Sequence, residues 1–208
     1  MFIKICGIRR VADALHAVEQ GATALGFVFW PRSPRYINPD RAALIIAELP
    51  AEVTTVGVFV NEDPAALQKV VEASGVTAVQ LHGDEPVSYA DALTVPPFRS
   101  VTIENAADIC PAWPAGTTFL LDAADPARRG GTGVPVDWRR AAAVARQWPL
   151  VLAGGLNADN VTGAIASVRP VGVDVSSGVE QAPGEKDPGK VTRFVTNARR
   201  AFGEIGVQ

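Results

Sequence analysis

LVLAGGLNADNVTGAIASVRPVGVDVSSG, residues 150–178, contains two short apolar runs, Leu150 to Ala153 and Val171 to Val175, each passing into a glycine- or serine-rich loop. Continuous runs of this length, rich in β-branched residues, read as strands covered on both faces, which is the habit of parallel sheets. Six earlier runs have the same character: Phe2 to Ile5, Leu25 to Phe29, Val56 to Val60, Ala78 to Leu81, Phe98 to Ile103 and Thr118 to Leu121. Between them apolar side chains recur at three and four, as Val11, Ala14, Leu15 and Val18, as Leu67, Val70 and Val71, and as Val191, Phe194, Val195, Ala198 and Phe202. Those are helix stripes. Pro39 and Asp40 open the second helix, and Asp63 followed by Pro64 is an N-cap with proline in the first turn.

Strand and helix alternating eight times predict an α/β fold, a parallel sheet closed into a (β/α)8 barrel of the TIM type. Spread over 208 residues, the barrel is compact, a single domain spanning 1–208. An irregular or missing helix is expected after the fifth strand, where Cys110-Pro111-Ala112-Trp113-Pro114 would break one. An open doubly wound sheet is the competing architecture. Its spaced glycines after the first strand are missing, since Cys6-Gly7-Ile8-Arg9 has only one.

Composition narrows the function classes. With 19 Lys and Arg against 22 Asp and Glu, the formal charge of −3 offers no basic face for nucleic acid or anionic lipid. Two cysteines and two histidines allow neither a disulfide scaffold nor a four-thiolate or three-histidine zinc site. No apolar stretch approaches a membrane span, and the N-terminal charges follow the first apolar run, the wrong order for a secretory signal. A cytoplasmic protein without nucleic-acid or membrane partners is expected.

In a parallel barrel every strand ends on one rim, and that rim carries the site. Directly after the runs stand Cys6, Arg35 within Ser33-Pro34-Arg35-Tyr36, Asn61-Glu62-Asp63, His82-Gly83-Asp84-Glu85, Asp122, Gly154-Gly155 and Ser176-Ser177-Gly178. The last two loops follow strands seven and eight, where barrels often hold phosphate on backbone N–H groups. Either loop alone reads more simply as a tight turn; together they favour phosphate. Gly130-Gly131-Thr132-Gly133 resembles a loop able to fold over a ligand. Cys6 shares a strand face with Lys4, whose ammonium would favour the thiolate, the form competent as a base. Asp122 ends an apolar run, where desolvation would keep a proton on the carboxyl for donation. Arg35 is a candidate clamp for a second anion. His82 is either a rim hydrogen-bonder or a structural residue, and Phe29 and Trp30 stand close enough to the rim to touch an aromatic substrate. Such an acid–base pair beside a phosphate site needs neither metal nor redox cofactor.

With these motifs assembled, the chain resembles the phosphoribosylanthranilate isomerases. The likeness is carried by Lys4-Ile5-Cys6-Gly7, Ser33-Pro34-Arg35-Tyr36, Val79-Gln80-Leu81-His82-Gly83-Asp84-Glu85, Leu121-Asp122, Gly130-Gly131-Thr132-Gly133, Leu152-Ala153-Gly154-Gly155-Leu156-Asn157 and Asp174-Val175-Ser176-Ser177-Gly178-Val179-Glu180. It implies an Amadori rearrangement of a phosphorylated aminosugar, with Asp122 as general acid and Cys6 as general base. It further implies that Arg35, His82, Gly131 and Asp174 contact substrate and that Gly154, Gly155, Ser176, Ser177 and Gly178 hold the phosphate. No cofactor is implied, and the chain could act as monomer or homodimer. The alternatives are another sugar-phosphate barrel enzyme and a non-catalytic phospholigand-binding barrel.

Overall fold

The structure, a computed structural model, describes residues 1–123 and 136–206. Eight strands form a closed barrel in sequence order: β1 (Phe2–Cys6), β2 (Ala24–Val28), β3 (Thr54–Phe59), β4 (Ala78–Leu81), β5 (Pro97–Val101), β6 (Thr118–Leu121), β7 (Leu150–Leu152) and β8 (Gly172–Val175). Every neighbouring pair is parallel. Closure is made by β8 against β1, with Phe2 opposite Gly172 and Lys4 opposite Asp174.

Around the barrel lie α1 (Val11–Gln20), α2 (Pro39–Ile46), α3 (Pro64–Ser74), α4 (Tyr89–Ala92), α5 (Ala106–Ile109), α6 (Trp138–Ala145), α7 (Val161–Val168) and α8 (Pro188–Glu204). Local chemistry fixes their starts. Asn38 accepts from the Asp40 amide, Asp63 from those of Ala65 and Ala66, and Asp187 from that of Lys190, and all three stand before a proline. The α8 stripe Val191, Phe194, Val195, Ala198 and Phe202 is almost wholly buried. The α1 stripe turns out differently: Ala14 and Ala17 are buried, while Val11 and Leu15 are exposed. Two alanines let α1 lie close to its neighbours, so the helix rotates toward its small side and its larger residues face outward.

The thin unit after β5 is present, as the one-turn α5 followed by a 3-10 turn at Cys110–Ala112. Its neighbour α4 is equally short. Pro86 before it and Pro96-Pro97 after it confine the segment. Where a longer helix would have covered β5, Arg99 fills the space. It is 4 % exposed, donates from Nη1 to Glu85 Oε2 at 2.8 Å and stands 5.4 Å above the ring of Trp113.

The pleat sorts each strand into two faces. Ile3, Ile5, Leu25, Phe27, Val79, Leu81, Phe119, Leu121, Val173 and Val175 join the helices in the outer core. Phe2, Val56, Ala78, Phe98, Leu120, Val151 and Ala153 plug the barrel interior, with Phe2 stacked on Phe98 at 5.5 Å. Above that plug the interior turns polar with Lys4, Gln80 and Asp174, all buried.

Candidate active site

A cavity of about 960 Å³ opens at the C-terminal ends of the strands. Its wall includes Cys6, Trp30, Arg35, His82, Asp122, Gly154, Gly155, Asp174, Ser176 and Ser177. Nine of the residues singled out in the sequence therefore meet in one space, Trp30 with them. Gly178 stands just behind the wall, and Gly131 lies outside the described residues. Phe29 does not reach the cavity. One residue before Trp30 it takes the opposite face, packing on Phe59 at 5.3 Å between ring centres. Trp30 instead caps an apolar patch of Cys6, Val28 and Val58.

Cys6 ends β1 and is 7 % exposed. Lys4 lies below it on the same face, its ammonium charge acting on the sulfur. Burial pushes the Cys6 thiol up, Lys4 draws it back down, and Asp174 pushes it up again, so the net shift is upward. The expected effect of the ammonium is present in sign but outweighed, because the desolvation of a closed barrel interior exceeds it. Lys4 itself loses solvation, yet the charges of Asp174 and Cys6 raise it above an ordinary lysine. Position 26, opposite on β2, is glycine for a reason of space. A Cβ there would stand 2.7 Å from Cys6 Sγ and 3.1 Å from Lys4 Cε.

Asp122 follows β6 directly, and its Oδ1 accepts from the Ala123 amide at 2.7 Å. Its Oδ2 lies 3.6 Å from His82 Nε2, too long for a hydrogen bond. His82 Nδ1 meets Ser100 Oγ at 2.6 Å and Gln80 Nε2 at 2.8 Å. Asp174 is an ion-pair partner of Lys4 at 3.0 Å while also lining the cavity.

Arg35 reaches the cavity over Gly7, where a Cβ would meet its side chain at 2.7 Å. Its Nε and Nη2 donate to the two oxygens of Glu180, each at 2.8 Å. One edge of the fork is thus held by the protein, and the remaining donors are available to a ligand. Glu180 begins a hairpin that the sequence did not announce, β9 (Glu180–Ala182) with β10 (Glu185–Lys186), turned by Pro183-Gly184. Lys186 Nζ, also buried, donates to Glu180 Oε1 at 2.9 Å and to the Ser176 carbonyl at 3.1 Å.

The loops after β7 and β8 press together. Gly154 and Gly155 adopt φ of 77° and 65°. Ser177–Val179 forms a 3-10 turn, and a Cβ on Gly178 would fall on the Leu156 carbonyl oxygen. Ser176 Oγ donates to the Cys6 carbonyl at 3.2 Å, tying the loop to β1.

Gln80 and Glu180 stood within the motifs that carry the resemblance but were given no role, and Ser100 and Lys186 were not singled out in the sequence. A signal existed for two of them: Gln80 and Ser100 are polar residues on the inward parity of otherwise apolar strands, the same parity as Lys4 and Cys6.

Fold and cavity together define a class, the (β/α)8 barrels with one polar site at the C-terminal mouth. Residues 3–197 match the model of the N-(5'phosphoribosyl)anthranilate (PRA) isomerase family. The N-(5'-phosphoribosyl)anthranilate isomerase of Citrifermentans bemidjiense is 47% identical over 199 residues, covering 95% of this chain and 97% of that one. The phosphoribosyl anthranilate isomerase of Thermotoga maritima superposes with a TM-score of 0.86 at 42% identity, over 96% of this chain and 99% of the other. A further solved relative, bound to reduced 1-(o-carboxyphenylamino)-1-deoxyribulose 5-phosphate, gives a TM-score of 0.84 at 40% identity, with 96% and 99% covered. The chain belongs to the N-(5'-phosphoribosyl)anthranilate isomerase family.

Proposed function

We propose that the protein catalyses the Amadori rearrangement of N-(5'-phosphoribosyl)anthranilate to 1-(2-carboxyphenylamino)-1-deoxyribulose 5-phosphate, a step of tryptophan biosynthesis. The supporting observation is that Cys6 and Asp122, from β1 and β6, line one cavity with Arg35 and the loops after β7 and β8. Gly154, Gly155, Ser176, Ser177 and Gly178 hold the phosphate. Arg35 takes the anthranilate carboxylate on the donors that Glu180 leaves open, and Trp30 offers the aromatic ring an apolar wall. His82, Gly131 and Asp174 complete the contacts to substrate.

Asp122 gives its proton to the furanose ring oxygen, and the ring opens to an iminium. Cys6, as thiolate, takes the proton from the second sugar carbon, leaving an enolamine that relaxes to the ketone. One residue ends a proton poorer and the other a proton richer, so the chemistry is redox-neutral and the pair resets through solvent. A positioned proton-transfer group contributes about 10²- to 10⁴-fold. The test is the decay of anthranilate-adduct fluorescence on adding protein, repeated with Cys6→Ser and Asp122→Asn. Turnover lower by orders of magnitude in each variant, with phosphate affinity retained, is expected. Binding without turnover in the unaltered protein would instead identify a phospholigand-binding barrel.

A Thermotoga maritima relative is described as dimeric, with monomers generated from it. This chain works as a monomer or a homodimer, in the cytoplasm, with a small phosphorylated aminosugar as its partner. Among the described residues, no helix is long and apolar enough to cross a membrane.

A further inference from the structure

Lys4 has three N–H donors and no acceptor. Inside the barrel two of them are directed at Asp174 Oδ1 at 3.0 Å and at Gln80 Oε1 at 2.8 Å, with Cys6 near enough for its charge to act on the ammonium. Only the carbonyl end of an amide can face an ammonium, so Gln80 has a single orientation. Its Nε2 then points at His82 Nδ1 from 2.8 Å and lies 3.3 Å from Ser100 Oγ. A protonated Nδ1 would set donor against donor at that distance. The Ser100 hydroxyl, 2.6 Å from the same nitrogen, can donate to it as readily as accept. The ring's own proton is therefore on Nε2, the atom 3.6 Å from Asp122 Oδ2.

From this we infer that Lys4 and Gln80 are positioning residues that lock His82 as the neutral Nε2–H tautomer, so that the imidazole cannot take the proton Asp122 needs. The consequence for turnover rests on the proposed role of Asp122 as the acid; the tautomer itself does not. A ring with its lone pair toward Asp122 would accept that proton, and an imidazolium would hold Asp122 as carboxylate. Both routes are closed, one by the hydrogen already on Nε2 and the other by the Gln80 donor at Nδ1. Among the described residues, the charged groups that face the ring include Asp122 on the mouth side and, through Gln80, Lys4 with Asp174 and Cys6 behind it. Hydrogen bonds thus run from Lys4 on β1 through Gln80 on β4 to His82, whose Nε2 faces Asp122.

The chain has only two histidines, His16 and His82. Long-range ¹H–¹⁵N correlation spectra of the uniformly labelled protein report both tautomers, and His16→Gln assigns them. At neutral pH His82 should show Nε2 protonated and Nδ1 bare; an Nδ1–H or mixed ring overturns the inference. Gln80→Glu places an acceptor at Nδ1 and should yield a doubly protonated ring, with kcat reduced about tenfold or more and KM little changed. A ring that stays in the single Nε2–H state in that variant also overturns it. Should Gln80→Glu not fold, Gln80→Met removes the donor without charge and should release an Nδ1–H population, and its absence would count against the lock. Loss of activity in the unaltered protein with the Nε2–H ring intact would sink the proposed reaction and leave this arrangement standing.

Discussion

Cys6 is the residue on which burial and charge disagree. Burial pushes its thiol up, and the Lys4 ammonium only partly draws it back, so the neutral thiol dominates at rest and the reactive thiolate gains population as the pH rises. A group that must lose its proton to act as base gives a rate that climbs toward alkaline pH. We expect kcat/KM to increase from neutral into alkaline solution; a profile flat over that range would remove Cys6 as the base. Gly26 supplies a second prediction at this scale. The Cβ of a Gly26→Ala variant would crowd both Cys6 Sγ and the Cys6 Cα, at 2.7 and 3.1 Å. The sulfur must rotate away, so turnover should fall at least tenfold while the folded structure survives, checked by the fluorescence assay beside circular dichroism. Arg35→Ala should raise KM by roughly tenfold to a hundredfold, the magnitude of a lost charge-assisted hydrogen bond of about 1.5–3 kcal/mol. An unchanged KM would take Arg35 out of the clamp role.

Between β4 and β6 the outer layer is built from loops and single turns, and one ion pair replaces a helix. Glu85 Oε2 accepts from Arg99, and the same carboxylate accepts from the amides of Asn61 and Gly83 at 2.7 and 2.9 Å. Glu85 is 4 % exposed, so in the rim sequence His82-Gly83-Asp84-Glu85 the last member is structural rather than reactive. Its removal leaves the Arg99 guanidinium buried against Trp113 without its carboxylate. Breaking a buried pair in this way costs about 3–5 kcal/mol, so Glu85→Ala should lower the urea midpoint accordingly, and a midpoint within experimental scatter of the parent would refute the assignment. The two short helices differed in legibility. The prolines after Ile109 are dense enough to read as a helix breaker, whereas Pro86 and Pro96 lie ten residues apart and leave room for a longer helix than the single turn of α4 that forms.

On the scale of the whole molecule, the hairpin after β8 is tied to the loop after β2 through Glu180, which grips Arg35 145 positions away and Lys186 on its own hairpin. Burial alone would push its carboxyl up, but hydrogen bonds and charge from Arg35 and Lys186 outweigh that and hold it below the usual carboxylate range. With the folded value below the unfolded one, the stabilisation is complete above the ordinary carboxylate value of about 4.3 and is lost as pH falls through the folded value. Glu180→Gln should therefore flatten the acid limb of stability measured by urea titration across pH. An acid limb of unchanged steepness would assign that loss to other carboxylates. The eight strands, the cap at Asp63 and the rim positions of Cys6, Asp122 and Arg35 were legible in the chain itself. Apolar runs, prolines and the common direction of parallel strands are local facts or follow from one topological rule. Only the closed barrel decided that Lys4 meets Asp174, 170 positions away, and Gln80, 76 positions away, or that Glu180 grips Arg35. Strand periodicity tells which face a side chain takes, but the register and closure of the barrel choose its partner, and they are set by the packing of all eight strands at once.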